Sequence, residues 1–241
     1  HGIGRRQRQM CIRDRHISDT SQNILTVEDP IEYTLPGIGQ TQVNNKAGYD
    51  FASGLRSILR QDPDIVMVGE IRDIETAKIA IQASLTGHLV LSTIHTNSAI
   101  GAIARLRDMG IESYLLASSL RVVIAQRLVR RLCEDCKTPV KPSATIQKEF
   151  QLDKNENIYQ AVGCTNCNNT GFKGRIALAE CINISDELKA LIHDEASEAK
   201  LAESAFKENL SLDLSSSQLL RDGLTSYEEL LRVQNNQDAN L

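Results

Sequence analysis

The stretch Leu59-Arg60-Gln61-Asp62-Pro63-Asp64-Ile65-Val66-Met67-Val68-Gly69-Glu70-Ile71-Arg72-Asp73 holds the key to this chain. Its centre, Ile65 to Val68, is an unbroken apolar run bounded by Pro63 and Gly69. Such a run suits a strand covered on both faces, as in a parallel α/β sheet. Ligands in those sheets bind beyond the carboxyl ends of the strands, which is where Glu70 falls. A glutamate there can orient a water or a hydrated Mg²⁺ against a phosphate. It can equally begin the next helix and support its N-terminus, and periodicity alone favours that plainer role.

Outward from this strand the pattern stays α/β. Ile24 to Val27 reads as a short buried strand ending in Glu28-Asp29-Pro30. Gly37 and Gly39 mark a loop, and Gln40 to Val43 suits a second strand. Phe51, Leu55, Ile58 and Leu59 recur at helical spacing, giving a helix that stops before Pro63. Ile74 to Leu85 reads as a helix closed by Thr86-Gly87. His88 to Ile94 comes next as another buried strand, and Ser98 to Met109 as a helix ended by Gly110. This alternation implies a parallel sheet with helices on its faces. Beyond Arg131 the character changes to a polar, weakly periodic insert (Lys141 to Tyr159), a short strand from Arg175 and a helical tail. In that tail Ser185-Asp186-Glu187 is a good helix start, Ser197 to Asn209 suits a helix, and Thr225-Ser226-Tyr227-Glu228 has the spacing of a capping box.

Composition narrows the function classes. The 241 residues are 41% hydrophobic and 24% charged, as in ordinary globular proteins. No apolar run is long enough to span a bilayer. A net charge of -4, a pI near 5.8 and 4% aromatic residues argue against a general nucleic-acid binder. The first fifteen residues stand apart: Arg5, Arg6, Arg8, Arg13 and Arg15 occur without apolar periodicity. Read by itself, that start is a basic arm for phosphates or lipids.

Cys133-Glu134-Asp135-Cys136 and Cys164-Thr165-Asn166-Cys167 are two C-x-x-C pairs. Four thiolates satisfy a tetrahedral Zn²⁺. A redox dithiol, or cysteines that only pack, are the alternatives; the second pair favours zinc. Four protein ligands leave no position for a catalytic water, so the site reads as structural. Gly163 and Gly171 permit the tight turns it needs. Cys11 and Cys181 have no partner pattern.

The Leu59 to Asp64 lead, the apolar run and Gly69-Glu70-Ile71-Arg72-Asp73 occur together and in order. In that combination the chain resembles the hexameric secretion ATPases of type II secretion and type IV pilus assembly, from about Asn23 to Val233. The resemblance implies a RecA-like P-loop NTPase core lacking its first βα unit, with an inserted zinc-binding subdomain and a helical C-terminal tail. It places a partial ATPase core at 23–131, the tetracysteine subdomain at 132–174 and the mainly helical subdomain at 175–241, leaving 1–22 as a non-native or unmatched segment. Because the family has its first core strand and phosphate loop at this position, the resemblance implies that the arginine-rich start is foreign sequence, with native sequence resuming near His16. Glu70 becomes the Walker B carboxylate. Glu28, in Val27-Glu28-Asp29-Pro30-Ile31-Glu32-Tyr33, matches the aspartate box and becomes a candidate for activating water or holding Mg²⁺ through water; alone it reads as a strand-to-turn residue. His95, in Ser92-Thr93-Ile94-His95-Thr96-Asn97, matches the histidine box beside the γ-phosphate; a lone histidine past a strand is more often structural, as His88 is expected to be. Arg56 and Arg60, four apart on one helix face, match arginines that contact phosphates or a neighbouring subunit. Without the resemblance they form a solvated basic stripe, and Arg72 and Arg105 are weaker candidates of the same kind.

The implied protein is an ATP- and Mg²⁺-dependent motor with a structural Zn²⁺. It acts as a cytoplasmic homo-hexamer, held at the inner membrane only through a platform protein and other secretion or pilus components, and extrudes pseudopilin or pilin. The phosphate loop G-x-x-x-x-G-K-[ST] occurs nowhere in the sequence, so the chain by itself is expected not to turn over ATP. The opposing readings are a non-catalytic zinc-containing nucleic-acid-binding module and a catalytically silent scaffold.

Overall fold

In the computed structural model, residues 22–235 are described; Cys11, the arginine-rich start and most of the unmatched segment lie outside them. The chain forms two units. One comprises the residues up to His95 together with Ala102–Leu120 and Lys189–Ala196. The other comprises Thr96–Gly101, Arg121–Leu188 and the residues from Ser197 onward.

The first unit is built on a four-stranded parallel sheet of β1 (Ile24–Glu28), β2 (Gly39–Gln42), β3 (Ile65–Val68) and β4 (Leu89–Ser92), in the order β2-β1-β3-β4. Helices α1 (Phe51–Ile58) and α2 (Ile74–Leu85) connect the strands. Each is capped by an aspartate: Asp50 accepts from the Ser53 N–H in a capping box, and Asp73 from the Thr76 N–H. Val27, Val66 and Val68 pack with Phe51, Leu55, Ile58 and Ala80, and this is the unit's core. Full burial of a side chain such as Leu55 contributes about 1.5–3 kcal/mol. The chain continues into α3 (Ala99–Asp108) and α4 (Ser113–Ser119), the latter unmarked in the sequence because its run is short.

Two expectations change here. The strand expected over His88 to Ile94 is shorter and is not buried. β4 is an edge strand with one strand neighbour among the described residues, which leaves Leu89 47% exposed. Arg60 does not share the helix with Arg56: α1 ends at Ile58, Leu59 is its cap and Arg60 lies in the turn after it, its N–H bonded to the Ser57 carbonyl. Asp62 then takes a φ of 52° ahead of Pro63, so the chain has left the helix before the proline is reached.

The second unit is organised by a long antiparallel ribbon, β5 (Val122–Leu132) with β8 (Phe172–Asn183). β8 is a twelve-residue strand that begins before Arg175, longer than the short strand expected. Between the two lie β6 (Thr138–Val140), α5 (Ala144–Glu149) and β7 (Ile158–Gln160). The insert expected to be polar therefore has structure of its own. Its Phe150, Leu152 and Ile158 bury against Val129, Leu178, Leu219, Leu220 and Leu230, and their irregular spacing hides them from a periodicity reading. Helices α6 (Asp186–His193), α7 (Glu198–Ala205), α8 (Leu212–Arg221) and α9 (Tyr227–Asn235) complete the chain. The cap of α9 lies one residue later than expected. Ser226 Oγ accepts from the Glu229 N–H, while the Thr225 hydroxyl donates to the Arg130 carbonyl.

Glu229 is buried and carries the charge balance of this unit. It accepts from the Arg130 N–H, from the Arg130 guanidinium and from Arg232. Burial opposes its ionisation, but the Arg232 and Arg130 donors outweigh it and hold the carboxyl at about 2, below an ordinary 4.5. The folded value is depressed, so the stability this group contributes is present above pH 4.5 and is lost as pH falls toward 2. Glu229→Gln should destabilise the chain by about 1–3 kcal/mol at pH 7 and flatten the acid limb. Urea unfolding at a series of pH values measures both effects.

Candidate functional site

β1 and β3 run parallel, with Val27 opposite Val68, so the residues that leave both strands emerge at one end of the sheet. Glu28 is the last residue of β1, and Glu70 lies two residues past β3. The backbone beyond the strands is pinned. The Gly69 N–H donates to the Val27 carbonyl at 2.8 Å, the Ile71 N–H to the Thr93 carbonyl at 2.9 Å and the Thr93 hydroxyl to the Gly69 carbonyl at 2.6 Å. Gly69 suits a close approach here. A Cβ there would sit 3.2 Å from the Val27 oxygen, 3.3 Å from the Phe51 ring and 3.5 Å from the Glu28 Cα.

Both carboxylates are buried, Glu28 being 2% and Glu70 4% exposed. Glu70 uses both oxygens: Oε1 accepts from Arg72 at 2.5 Å and Oε2 faces His95 Nε2 at 2.9 Å. Because the carboxylate only accepts, His95 Nε2 carries the proton in this contact. The hydrogen bond to Glu70 lifts the Arg72 guanidinium above its ordinary value. Glu28 is held differently. Its Oε1 accepts from the Thr26 hydroxyl at 2.7 Å and from the Gln40 amide at 2.8 Å, while its backbone carbonyl accepts from the Val43 N–H. Sequence reasoning passed over Thr26 and Gln40. Their only signal is two polar side chains in short strands that otherwise read as core or loop.

The structure thus brings Glu28 and Glu70 to neighbouring strand ends and joins His95 and Arg72 to Glu70. The remaining arginines stand apart from those carboxylates. Arg56 pairs with Glu75 of α2, and with Arg60, Ser53, Ser57 and Gln61 it lines a shallow depression of about 430 Å³. Arg105 is exposed on α3, and its side chain makes no hydrogen bond or ion pair with another described residue. His88 is held at the far end of β4, its Nδ1 3.0 Å from the Ala83 carbonyl.

In the second unit the Cys133, Cys136, Cys164 and Cys167 sulfurs all lie within 4.8 Å of one another. Three Sγ–Sγ separations are 3.8–3.9 Å: Cys133–Cys164, Cys136–Cys167 and Cys164–Cys167. A regular tetrahedron with metal–sulfur bonds of ~2.3 Å has edges of about 3.8 Å, so the donor set and its spacing suit one four-coordinate metal. Backbone N–H groups of Cys164 and Gly171 point at the Cys167 sulfur. Burial pushes that thiol up, yet those donors and the neighbouring thiols outweigh it and bring it down to about 6. For Cys133 an interaction with Asp135 lowers the value, but burial and the Cys164 and Cys136 thiols together push it up to about 12. Gly171, at a φ of 75°, allows the chain to turn where a Cβ would strike Ala161 at 2.5 Å.

A family model described as Type II/IV secretion system protein matches residues 14–232. The chain belongs to that family. It is 52% identical over 221 residues to the type II secretion system ATPase E of Vibrio cholerae. It is 53% identical over 219 residues to the type II secretion system protein E of Pseudomonas aeruginosa. The matches cover 91% and 90% of this chain and 44% of each relative, so the chain spans under half the length of these members of the secretion family. Among solved structures, the pilus retraction motor PilT with bound ADP matches 88% of this chain and 52% of its own, at 26% identity and a TM-score of 0.64. The Legionella pneumophila ATPase DotB matches 98% and 58% with a TM-score of 0.68; at 21% identity it speaks for the fold alone. The sheet, its flanking helices and the four-cysteine cluster agree with the RecA-like architecture expected for this secretion family.

The thiol cluster predicts about one tightly held divalent metal per chain when purification avoids chelators. Cys164→Ser should lower metal content and loosen the segment between the pairs. Elemental analysis of both proteins is the check, and less than about a tenth of an equivalent in the parent chain contradicts a four-coordinate site.

Proposed function

We propose that the whole protein is an ATP-hydrolysing motor of type II secretion or type IV pilus assembly. The observation that carries this reading is the pair of buried carboxylates, Glu28 and Glu70, at the ends of adjacent parallel strands. That is where open α/β sheets bind their ligands. Bound Mg²⁺, held through water by Glu28 and Glu70, would neutralise charge on the nucleotide's phosphate oxygens. Glu70 orients the attacking water, and for this Arg72 yields the Oε1 oxygen it holds. Glu28 holds water or metal from the neighbouring strand end. His95, already hydrogen-bonded to Glu70, couples that carboxylate to the phosphate. Arg72, once released, and Arg56, Arg60 and Arg105 supply positive charge to phosphates or to an adjoining subunit. The active form in this reading is a homo-hexamer, cytoplasmic and bound to the inner membrane through a platform protein and other secretion or pilus components. Among the described residues no helix is long and apolar enough to cross a membrane. Residues 23–131 act as the partial motor core, 132–174 as the metal subdomain and 175–241 as the mainly helical subdomain.

The metal at Cys133, Cys136, Cys164 and Cys167 is Zn²⁺ in this reading. Four thiolate ligands close its coordination shell, so its part is to hold the loops of the second unit together. The net negative charge and scarcity of aromatic residues disfavour a zinc-containing nucleic-acid-binding module.

Two outcomes test the motor. The 241-residue chain by itself should show no sustained ATP turnover, because the phosphate-loop sequence is not in it. With the native upstream region restored, Mg²⁺-dependent hydrolysis should appear, and Glu70→Gln should reduce it by ~10²–10⁴-fold while nucleotide binding persists. A phosphate-release assay reads both. Retention of more than about half the turnover by Glu70→Gln would return Glu70 to a helix-start role.

A further inference from the structure

Glu28 is more tightly organised than a strand-end carboxylate needs to be. β1 alternates its side chains between the two sheet faces, so Thr26 and Glu28 lie on the same one. In the parallel register Thr26 stands directly opposite Gln40 of β2. Thr26 is fully buried, and its hydroxyl reaches Glu28 Oε1 at 2.7 Å. The Gln40 Nε2 reaches the same oxygen at 2.8 Å.

The orientation of that amide is not arbitrary. Gln40 Oε1 accepts from the Leu35 N–H at 2.7 Å, and Nε2 also donates to the Tyr33 carbonyl at 3.0 Å. Turned over, the amide would set its oxygen against Glu28 Oε1 and the Tyr33 carbonyl, and its N–H groups against the Leu35 N–H. The loop 33–35 therefore locks Gln40, and Gln40 with Thr26 locks one carboxylate oxygen of Glu28. Among the described residues, Oε2 of Glu28 takes no hydrogen bond. Glu70 contrasts with it, since both its oxygens are engaged.

We propose that Thr26 and Gln40 are positioning residues: they fix Glu28 by Oε1 so that Oε2 is the oxygen presented to water or a hydrated cation in the phosphate site. The inference rests on the reading of Glu28 as part of that site. It adds two residues to the site and assigns different roles to the two carboxylate oxygens. Neither residue touches substrate; both act through Glu28, as partners that orient a ligand-binding carboxylate do.

The test has two arms. In the 241-residue chain carrying ¹³Cδ-labelled glutamate, the Glu28 carboxyl resonance is identified by its loss in Glu28→Gln. Thr26→Val keeps the shape of the side chain and removes the donor, so this resonance should move by more than its linewidth. Thr26→Ser, which restores the hydroxyl, should bring it back toward the parent position. Gln40→Met should move it as well. An unmoved resonance in a folded Thr26→Val chain overturns the proposal; if that variant fails to fold, Gln40→Met decides on the same criterion. In the protein with its native upstream region restored, Thr26→Val and Gln40→Met should each lower kcat at least about tenfold, with KM for ATP within about twofold of the parent. In a Glu28→Gln background Thr26→Val should cost little more, because it acts through a group already changed. Independent, multiplying losses overturn the positioning role. If the restored protein shows no turnover at all, the motor reading fails, while the carboxyl resonance still decides whether Thr26 and Gln40 fix Glu28.

Discussion

The parallel pairing of β1 with β3 is the constraint on which the candidate site depends. Val27 stands opposite Val68, and the Gly69 N–H continues the ladder by bonding to the Val27 carbonyl. Parallel strands emerge at the same end of their sheet, so this one register brings Glu28 and Glu70 to neighbouring strand ends. Shifting the register by a residue would turn a strand's side chains to the opposite face. A slip of β1 would then take Val27 out of the apolar core it forms with Val66, Val68, Phe51 and Leu55. The hydrophobic pattern that stabilises the sheet is therefore also what aims the carboxylates.

Much of the first unit was legible because its signals are local. The apolar run at Ile65–Val68, the helical spacing of Phe51, Leu55 and Ile58 and the Thr86-Gly87 stop each act within a few residues of one element. Pairing of the carboxylates was legible only through resemblance, since sequence spacing does not say that β1 and β3 are neighbours. The arginine and imidazole contacts of Glu70 were hidden for a related reason: Arg72 is near in sequence, but His95 arrives from another strand's end. Thr26 and Gln40 escaped notice because a buried threonine or a strand glutamine is common, and its meaning appears only when its hydrogen-bond partner is known.

The second unit was less readable. Its two C-x-x-C pairs stood out, and the structure gathers their four sulfurs into one cluster. The long β5–β8 ribbon did not, because Val122–Leu132 mixes apolar residues, Gln126 and three arginines with no clean alternation. Phe150, Leu152 and Ile158 are core residues supplied by a segment that looks like a loop. A small unit braced by a ligand cluster and a buried Glu229 network needs less periodic hydrophobicity than a sheet packed between helices.

The central claim is that Glu28 and Glu70 act on one phosphate site. A double-mutant cycle on turnover tests it most directly, with Glu28→Gln, Glu70→Gln and the pair compared by single-turnover phosphate release in the protein carrying its native upstream region. Groups that act together are strongly non-additive, so the double variant should be no more than about threefold slower than the slower single variant. Losses that multiply, as they do for independent sites, would show that the two carboxylates serve different purposes and would contradict this account.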